Sequence, residues 1–311
     1  MKPIRTVTLN PCFDLHYTIP GFEIGRENAV TSAVIEAGGK GINTSRALRA
    51  GGVDNLAYLI VGTDSAAPFL EQLRADGLSF RAFETPGRVR ENLTVHPEEG
   101  KETRILLNTF RVSEQAFAEL EAALLAEAPQ MLLAFSGRIP NGVEKTRVLS
   151  LLARLAARGA DIAADSVSLT PDDLRALRPW LIKPNEQEMQ AFLGRTPATR
   201  EEVAKTAKEM VKNGVSQTVM ISLGGDGAVF SDGRDAYVLR VPRLTHPIST
   251  VGAGDSTLAG LLAGTAQELP LEESLRLAVA YGTASCLTPG TRPPRKEDIQ
   301  AVFAQTGVEK L

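Results

Sequence analysis

The sequence predicts an α/β protein built on a parallel sheet with helices on both faces. Three observations predict it. Short apolar runs recur along the chain, each followed by a segment with helical apolar spacing, as in a parallel sheet joined by helical crossovers. The polar and glycine-rich motifs Ser136-Gly137, Asp165-Ser166, Lys183-Pro184-Asn185-Glu186 and Ser222-Leu223-Gly224-Gly225 fall just after those runs. That is where the carboxyl ends of parallel strands hold ligands. Residues 92–108 interrupt the alternation with a hairpin pattern, which points to a small β layer beside or over the strand ends.

The elements follow in order. Residues 5–9 read as a strand ended by Asn10-Pro11. Gly38-Gly39-Lys40-Gly41 opens a helix over 42–50, which Gly51-Gly52 stops. Residues 56–61 are a strand. The hairpin pairs 93–95 with 104–107 across a turn at Pro97-Glu98-Glu99-Gly100. Ser113 caps a helix whose apolar positions are Phe117, Leu120 and Leu124. Strands follow at 131–135, 161–164, 180–182 and 218–223, with a helix over 143–157 and further helices between the later strands. No repeat or long linker divides the chain, so residues 1–311 read as a single α/β domain.

Composition narrows the function. The chain is 43% hydrophobic and 23% charged, with a formal net charge of -3. That balance gives no general attraction to nucleic acid or to an anionic membrane. Two cysteines, Cys12 and Cys286, argue against a disulfide framework and fit a reducing compartment. The three histidines, His16, His96 and His246, are scattered and lack zinc-type spacing. The N-terminus does not read as a signal peptide, and no apolar run approaches about 18 residues. The expected location is cytoplasmic.

Three motifs carry chemistry. Val251-Gly252-Ala253-Gly254-Asp255 precedes an apolar helical run at 258–262. Glycines let backbone amides approach an anion, and the helix dipole favours negative charge there. A carboxylate in that place would repel a phosphate unless its task is to take a proton. The plain alternative is a glycine turn with an ordinary first-turn Asp. The motif lacks the Lys-Ser/Thr of a P-loop and the last glycine of Gly-x-Gly-x-x-Gly. The second motif, Gly38 to Asn43, is either a tight turn or a close approach to a ligand hydroxyl. In the third, Asn185 and Glu188 read as a capping box or as oxygen groups ordering water around Mg²⁺. Asp14, Arg26, Asn28, Arg90, Asn92 and Arg104 lie in the β layer, where convergent arginines would favour a phosphorylated ligand.

Thr8-Leu9-Asn10-Pro11 with Asp14, Gly38 to Asn43, Ser136-Gly137 with Pro140, Lys183 to Glu188, and Ser249 to Ser256 occur in one order along the chain. In that order and spacing they resemble the PfkB (ribokinase-like) family of sugar kinases. Within it they are similar to the 1-phosphofructokinase and tagatose-6-phosphate kinase branch. The resemblance covers essentially the whole chain. It implies a ribokinase-like, Rossmann-type three-layer sandwich with a β-sheet lid from about 11–35 and 88–111. It also implies phosphorylation of a primary hydroxyl by ATP with Mg²⁺, and a homodimer through the lid.

Residue by residue, the resemblance makes Asp255 the base and Gly252, Ala253 and Gly254, with Val251, the anion hole. Asp14, Gly38, Gly39, Lys40, Asn43 and Ser136 fall to the sugar. Arg90, with Arg26 or Asn92, falls to the phosphate already on it. Lys183, Asn185, Ser222, Gly224 and Gly227 fall to the nucleotide, and Asn185 and Glu188 to Mg²⁺ through water. Two positions depart from the branch. Arg104 stands where an acidic residue is usual, and Asn28 where some sister enzymes carry a second basic residue; both bear on the choice of sugar phosphate.

The implied activity is a hexose-phosphate kinase, with fructose 1-phosphate the expected acceptor. The alternatives are tagatose 6-phosphate, fructose 6-phosphate, or an unphosphorylated sugar or nucleoside. A non-catalytic sugar-phosphate sensor would have lost the base or the glycines, and both are present. A dinucleotide oxidoreductase would need an early Gly-x-Gly-x-x-Gly, which is missing.

Overall fold

Apolar runs rich in Val, Ile and Leu fold as strands that alternate with amphipathic helices, as the sequence predicts. A computed structural model describes residues 2–98, 102–127, 129–194, 197 and 199–311, with backbone alone at 191 and 193. In chain order the strands are β1 (Ile4–Thr8), β2 (Cys12–Thr18), β3 (Ser32–Gly38), β4 (Asn55–Gly62), β5 (Phe80–Thr85), β6 (Arg90–His96) and β7 (Thr103–Leu106). They continue with β8 (Leu132–Ser136), β9 (Asp161–Asp165), β10 (Leu181–Ile182), β11 (Thr218–Ser222), β12 (Ala228–Ser231), β13 (Ala236–Arg240) and β14 (Gly307–Lys310). The helices are α1 (Lys40–Ala50), α2 (Ala66–Ala75), α3 (Glu114–Leu125), α4 (Lys145–Ala157) and α5 (Pro171–Leu177). The rest are α6 (Glu186–Leu193), α7 (Arg200–Lys212), α8 (Ala253–Ala266), α9 (Leu271–Ser285) and α10 (Lys296–Phe303).

Ten strands form one sheet in the order β14-β13-β12-β11-β10-β9-β8-β1-β4-β5. Neighbours from β5 to β11 run parallel, and β11 to β14 pair antiparallel. Strand side chains alternate between faces, so consecutive residues serve different layers. Leu133, Ile162 and Ile221 pack with α3, α4 and α7. Their neighbours Leu132, Ala163 and Met220 pack with α8, α9 and α10 on the other face. The result is a three-layer sandwich, as expected.

The predicted elements are present with shifted ends. The helix read over 42–50 begins at Lys40, and the left-handed glycine after it is Gly52. Ser113 does cap α3, accepting from the Ala116 amide at 3.2 Å. The antiparallel strands β12 to β14 extend the sheet beyond what the alternation predicted.

A second, four-stranded sheet has the order β3-β2-β6-β7. The predicted hairpin is its β6–β7 pair; of its turn, Glu99 and Gly100 lie outside the described residues. β3 runs to Gly38, past the expected boundary at 35. Phe13 meets Phe69 of α2 edge-on at 5.1 Å between centroids, which fixes this sheet to the main body. Asp14 pairs in register with Glu36 and Asn92, so these three share one face, and Leu15, Ile35 and Leu93 share the other. No helix among the described residues is long and apolar enough to cross a membrane.

Candidate active site

Parallel strands put their carboxyl ends on one edge. The order β11-β10-β9-β8-β1 therefore sets Ser222, Lys183, Asp165, Ser136 and Asn10 in a row along it. β1 is flanked by β4 on one side and β8 on the other. The chain leaves in opposite directions from such a strand, and a crevice opens at its end. From that end, three residues lead into β2 of the small sheet.

Asp165 closes β9 and is buried. Lys40 Nζ donates to its Oδ1 at 3.0 Å, and Lys183 Nζ lies 3.3 Å from its Oδ2. Burial pushes the Asp165 carboxyl up, but the charges of Lys183 and Lys40 outweigh it and hold the group below the ordinary carboxylate range. For Lys40, burial works against the charged form, yet Asp165 and Asp255 hold the ammonium above its ordinary value. Sequence reasoning gave Lys40 to the sugar and Lys183 to the nucleotide; the structure joins them through one carboxylate. In the sequence Asp165 reads only as part of a strand-end motif. The signal that could have found it is a lone carboxylate ending an apolar strand beside two such lysines.

Beside this cluster begins α8. Gly252 stands at the N-cap with φ 79°, the left-handed region glycine enters without strain, and no side chain caps the helix. Among the described residues no acceptor takes the amides of Gly252, Gly254 or Asp255. The Val251 amide is spent on Ser249 Oγ at 3.2 Å. The Ala253 amide, also expected in the anion hole, donates to the Thr250 carbonyl at 3.4 Å, and a side chain at Gly254 would begin 3.1 Å from Lys183 Nζ. The Lys183 ammonium thus stands beside the first turn of α8.

Asp255 lies in this first turn, only 6% exposed. Asn43 Nδ2 of α1 donates to its Oδ2 at 2.9 Å. Its carboxyl is pushed up to about 6. Burial is the main cause and the Asp165 charge adds to it, while Lys40, the Asn43 hydrogen bond and Lys183 oppose it.

On the side of the small sheet, polar groups form a chain. Arg90 Nη1 donates to Asn92 Oδ1 at 2.7 Å, and Asn92 Nδ2 donates to Asp14 Oδ1 at 2.9 Å. Any side chain at Gly38 would collide with Asp14 Oδ2, and one at Gly39 would come within 2.7 Å of Thr8. These glycines let α1 start against the cleft. Ser136 Oγ, Asn43 Oδ1 and Arg90 Nε are buried and have no partner in the protein.

Arg26 is not brought to this group. It is exposed in the β2–β3 loop and pairs with Glu23 at 3.3 Å, while Asn28 ties the backbone of Glu23 and Arg26. Arg104 donates to Glu102 at 3.3 Å, and Glu102 also pairs with His96, which meets His16 at 3.0 Å. Two histidines that looked scattered in sequence are therefore neighbours on the small sheet.

At the other end of the row, Asn185 and Glu188 make the reciprocal capping box of α6. Ser222 Oγ is buried without a partner. Gly224 and Gly227 flank a short turn with φ 56° and 92°. A side chain at Gly227 would strike the Leu239 carbonyl, so that glycine serves the fold directly. A cavity of about 160 Å³ is lined by Asp165, Lys183 and Glu188, among others. Among the described residues no group of three or more His, Cys, Asp or Glu could hold a bare metal ion. Asp165 Oδ2 accepts no hydrogen bond, and Glu188 uses only one oxygen in its cap. Such a sparse oxygen set fits Mg²⁺, which keeps most of its water and takes its other ligands from phosphate.

The family model of "pfkB family carbohydrate kinase" matches residues 7–298. The 1-phosphofructokinase of Rhodobacter capsulatus is 32% identical over 311 residues, covering 99% of this chain and 98% of that protein. The ATP-dependent 6-phosphofructokinase isozyme 2 of Escherichia coli (strain K12) is 30% identical, covering 98% of this chain and 99% of that one. The crystal structure of phosphofructokinase-2 from Escherichia coli, in complex with substrates and products, matches with a TM-score of 0.91 and 30% identity. It covers 97% of this chain and 99% of that chain. The chain belongs to the pfkB family of carbohydrate kinases.

Proposed function

We propose that the protein transfers the γ-phosphoryl group of ATP to a primary hydroxyl of a hexose phosphate, with fructose 1-phosphate the acceptor. The observation that carries this reading is a buried carboxylate, Asp255, in the first turn of an uncapped helix that begins beside Lys183. Asp255 takes the proton of the attacking hydroxyl. A new O–P bond forms to the sugar as the bond to ADP breaks. A carboxyl near 6 suits that task, because it is ionised at neutral pH yet basic enough to draw the proton in the transition state.

The amides of Gly252, Gly254 and Asp255, with Lys183 and Lys40, stabilise charge on the transferring phosphoryl oxygens. Electrostatic positioning of this kind supplies most of the catalysis in phosphoryl transfer. Asn43 fixes one oxygen of Asp255 and leaves the other for the substrate. Asp14, Gly39 and Ser136 serve the sugar hydroxyls, and Arg90 takes the phosphate already on the sugar. Ser222, Gly224 and Asn185 belong to the nucleotide side. Glu188 and Asp165 would hold Mg²⁺ through water, and the ion, when bound, neutralises charge on the nucleotide phosphates.

A second acceptor, fructose 6-phosphate, is favoured by the full-length similarity to a 6-phosphofructokinase. A panel of fructose 1-phosphate, fructose 6-phosphate, tagatose 6-phosphate, ribose and a nucleoside, each with Mg·ATP, separates the readings. The highest kcat/KM is expected for fructose 1-phosphate. Failure of all three hexose phosphates while ribose or the nucleoside turns over would remove Arg90 from its role.

The small sheet reads as a lid and as a dimer surface within a single domain. Ile35, Leu15, Leu93 and Ile105 fall in one cross-strand row on the face away from Asp14, with Ile35 and Ile105 exposed. An apolar row of that kind favours a second copy as its cover. Sedimentation equilibrium should return twice the chain mass, and Ile105→Lys should return one chain mass; a wild-type chain that runs as a monomer at micromolar concentration opposes the dimer.

A further inference from the structure

Asn10 is a polar residue at the crevice that neither the catalytic nor the clamp reading uses. It stands two residues past the end of β1, where the sheet order switches direction and the chain enters the lid. It is 6% exposed. Its Oδ1 is buried without a hydrogen bond among the described residues. A buried side-chain amide left unpaired is costly, and such groups are normally satisfied. Its backbone is engaged: Arg90 Nη2 donates to the Asn10 carbonyl at 3.4 Å. The next residue, Pro11, lies against Gly39 of the sugar-facing helix start. The backbone at Asn10 and Pro11 therefore runs between the guanidinium that takes the sugar's phosphate and the glycine turn that takes its hydroxyls.

We propose that Asn10 is a specificity-determining residue: its amide pairs with the sugar hydroxyl on the carbon next to the phosphate-bearing one. This rests on the hexose-phosphate kinase reading above. The backbone bond to Arg90 fixes its distance from the phosphate end of the substrate, and the unpaired amide supplies the missing partner. For a ketose 1-phosphate in its ring form, that hydroxyl is the anomeric one. The analogue 2,5-anhydromannitol 1-phosphate keeps the phosphate and the acceptor hydroxyl but lacks the anomeric hydroxyl, so it isolates the contact.

The test compares wild type with Asn10→Ala on fructose 1-phosphate and on that analogue, with KM and kcat measured separately and melting followed without ligand. With fructose 1-phosphate, KM should rise about tenfold in the variant, as for one lost hydrogen bond to a buried group, while kcat and the KM for ATP stay within about twofold. With the analogue, the two proteins should agree within about twofold. The variant should melt at or above the wild-type temperature, because it loses an unpaired buried amide. An equal KM loss on both sugars, or no loss on either, overturns the proposal. A lower melting temperature with weaker ATP use shows a structural role and also overturns it. If wild type turns over no hexose phosphate at all, the underlying function fails instead, and that outcome is visible before the variant is made.

Discussion

Two helix starts sit on the same edge of the sheet and are built in opposite ways. At α6, Asn185 accepts from the Glu188 amide and Glu188 accepts from the Asn185 amide, so the helix end is satisfied from within. At α8, a left-handed glycine replaces the cap, the amides of Gly252, Gly254 and Asp255 are left open among the described residues, and the Asp255 carboxylate is buried. A closed cap stabilises the fold locally. An open one gives up that stabilisation and offers dipole and donors to an anion. The difference teaches where to look for chemistry in this chain: at the helix that leaves its own groups unpaired.

The contrast makes graded predictions. Gly254→Val places a side chain against Lys183 Nζ, the movable tip of a lysine, so the fold should survive while the phosphoryl site is blocked. Loss of aligned donors at such a site costs about 10²–10³ in kcat. Steady-state turnover beside a melting curve checks this, and a fall in both together would make α8 merely structural.

Asp255→Asn should reveal the stability given up at α8. The Asp255 carboxyl is raised from 3.8 to about 6, so the folded chain holds this proton more tightly than the unfolded one. Wild-type stability therefore falls as pH rises from about 4 to about 6 and stays lower above that window, by something on the order of 2–3 kcal/mol. The variant lacks this titration. Its melting temperature should exceed that of wild type above pH 6, with the gap closing toward pH 4. A gap that does not change with pH contradicts the buried-carboxylate assignment.

The smallest effect belongs to α6. Asn185→Ala should lower stability by about 1 kcal/mol, the usual cost of a lost cap. If Asn185 acts only as a cap, denaturation midpoints will move while the KM for ATP stays fixed. A rise in that KM would mark it as a nucleotide ligand as well.

Much of this was legible in the sequence, for identifiable reasons. Period and glycine placement revealed the parallel alternation, the capping box at Asn185 and the anion-ready start at Gly252, because each is a local pattern. Asp255 could be singled out because a carboxylate there is chemically awkward. The Asp165 bridge between Lys40 and Lys183 was not legible, since it joins residues more than a hundred positions apart through strand neighbours. Arg26 was read as a helper to Arg90 in the small β layer, yet Arg90 lies in a strand that pairs beside Asp14 while Arg26 pairs with Glu23 in an exposed loop. His16 and His96 became neighbours only through the parallel pairing of β2 with β6, which no local spacing encodes.

The claim that α8 carries the reaction through Asp255 is met most directly by one pair of measurements on Asp255→Asn: kcat at saturating Mg·ATP and hexose phosphate, and the Kd for Mg·ATP by calorimetry. Removing a general base from phosphoryl transfer should lower kcat by about 10²–10⁴. The nucleotide Kd should stay within about twofold, because the amides and lysines that face the phosphates remain. Turnover within about tenfold of wild type, with nucleotide binding intact, would contradict the base assignment.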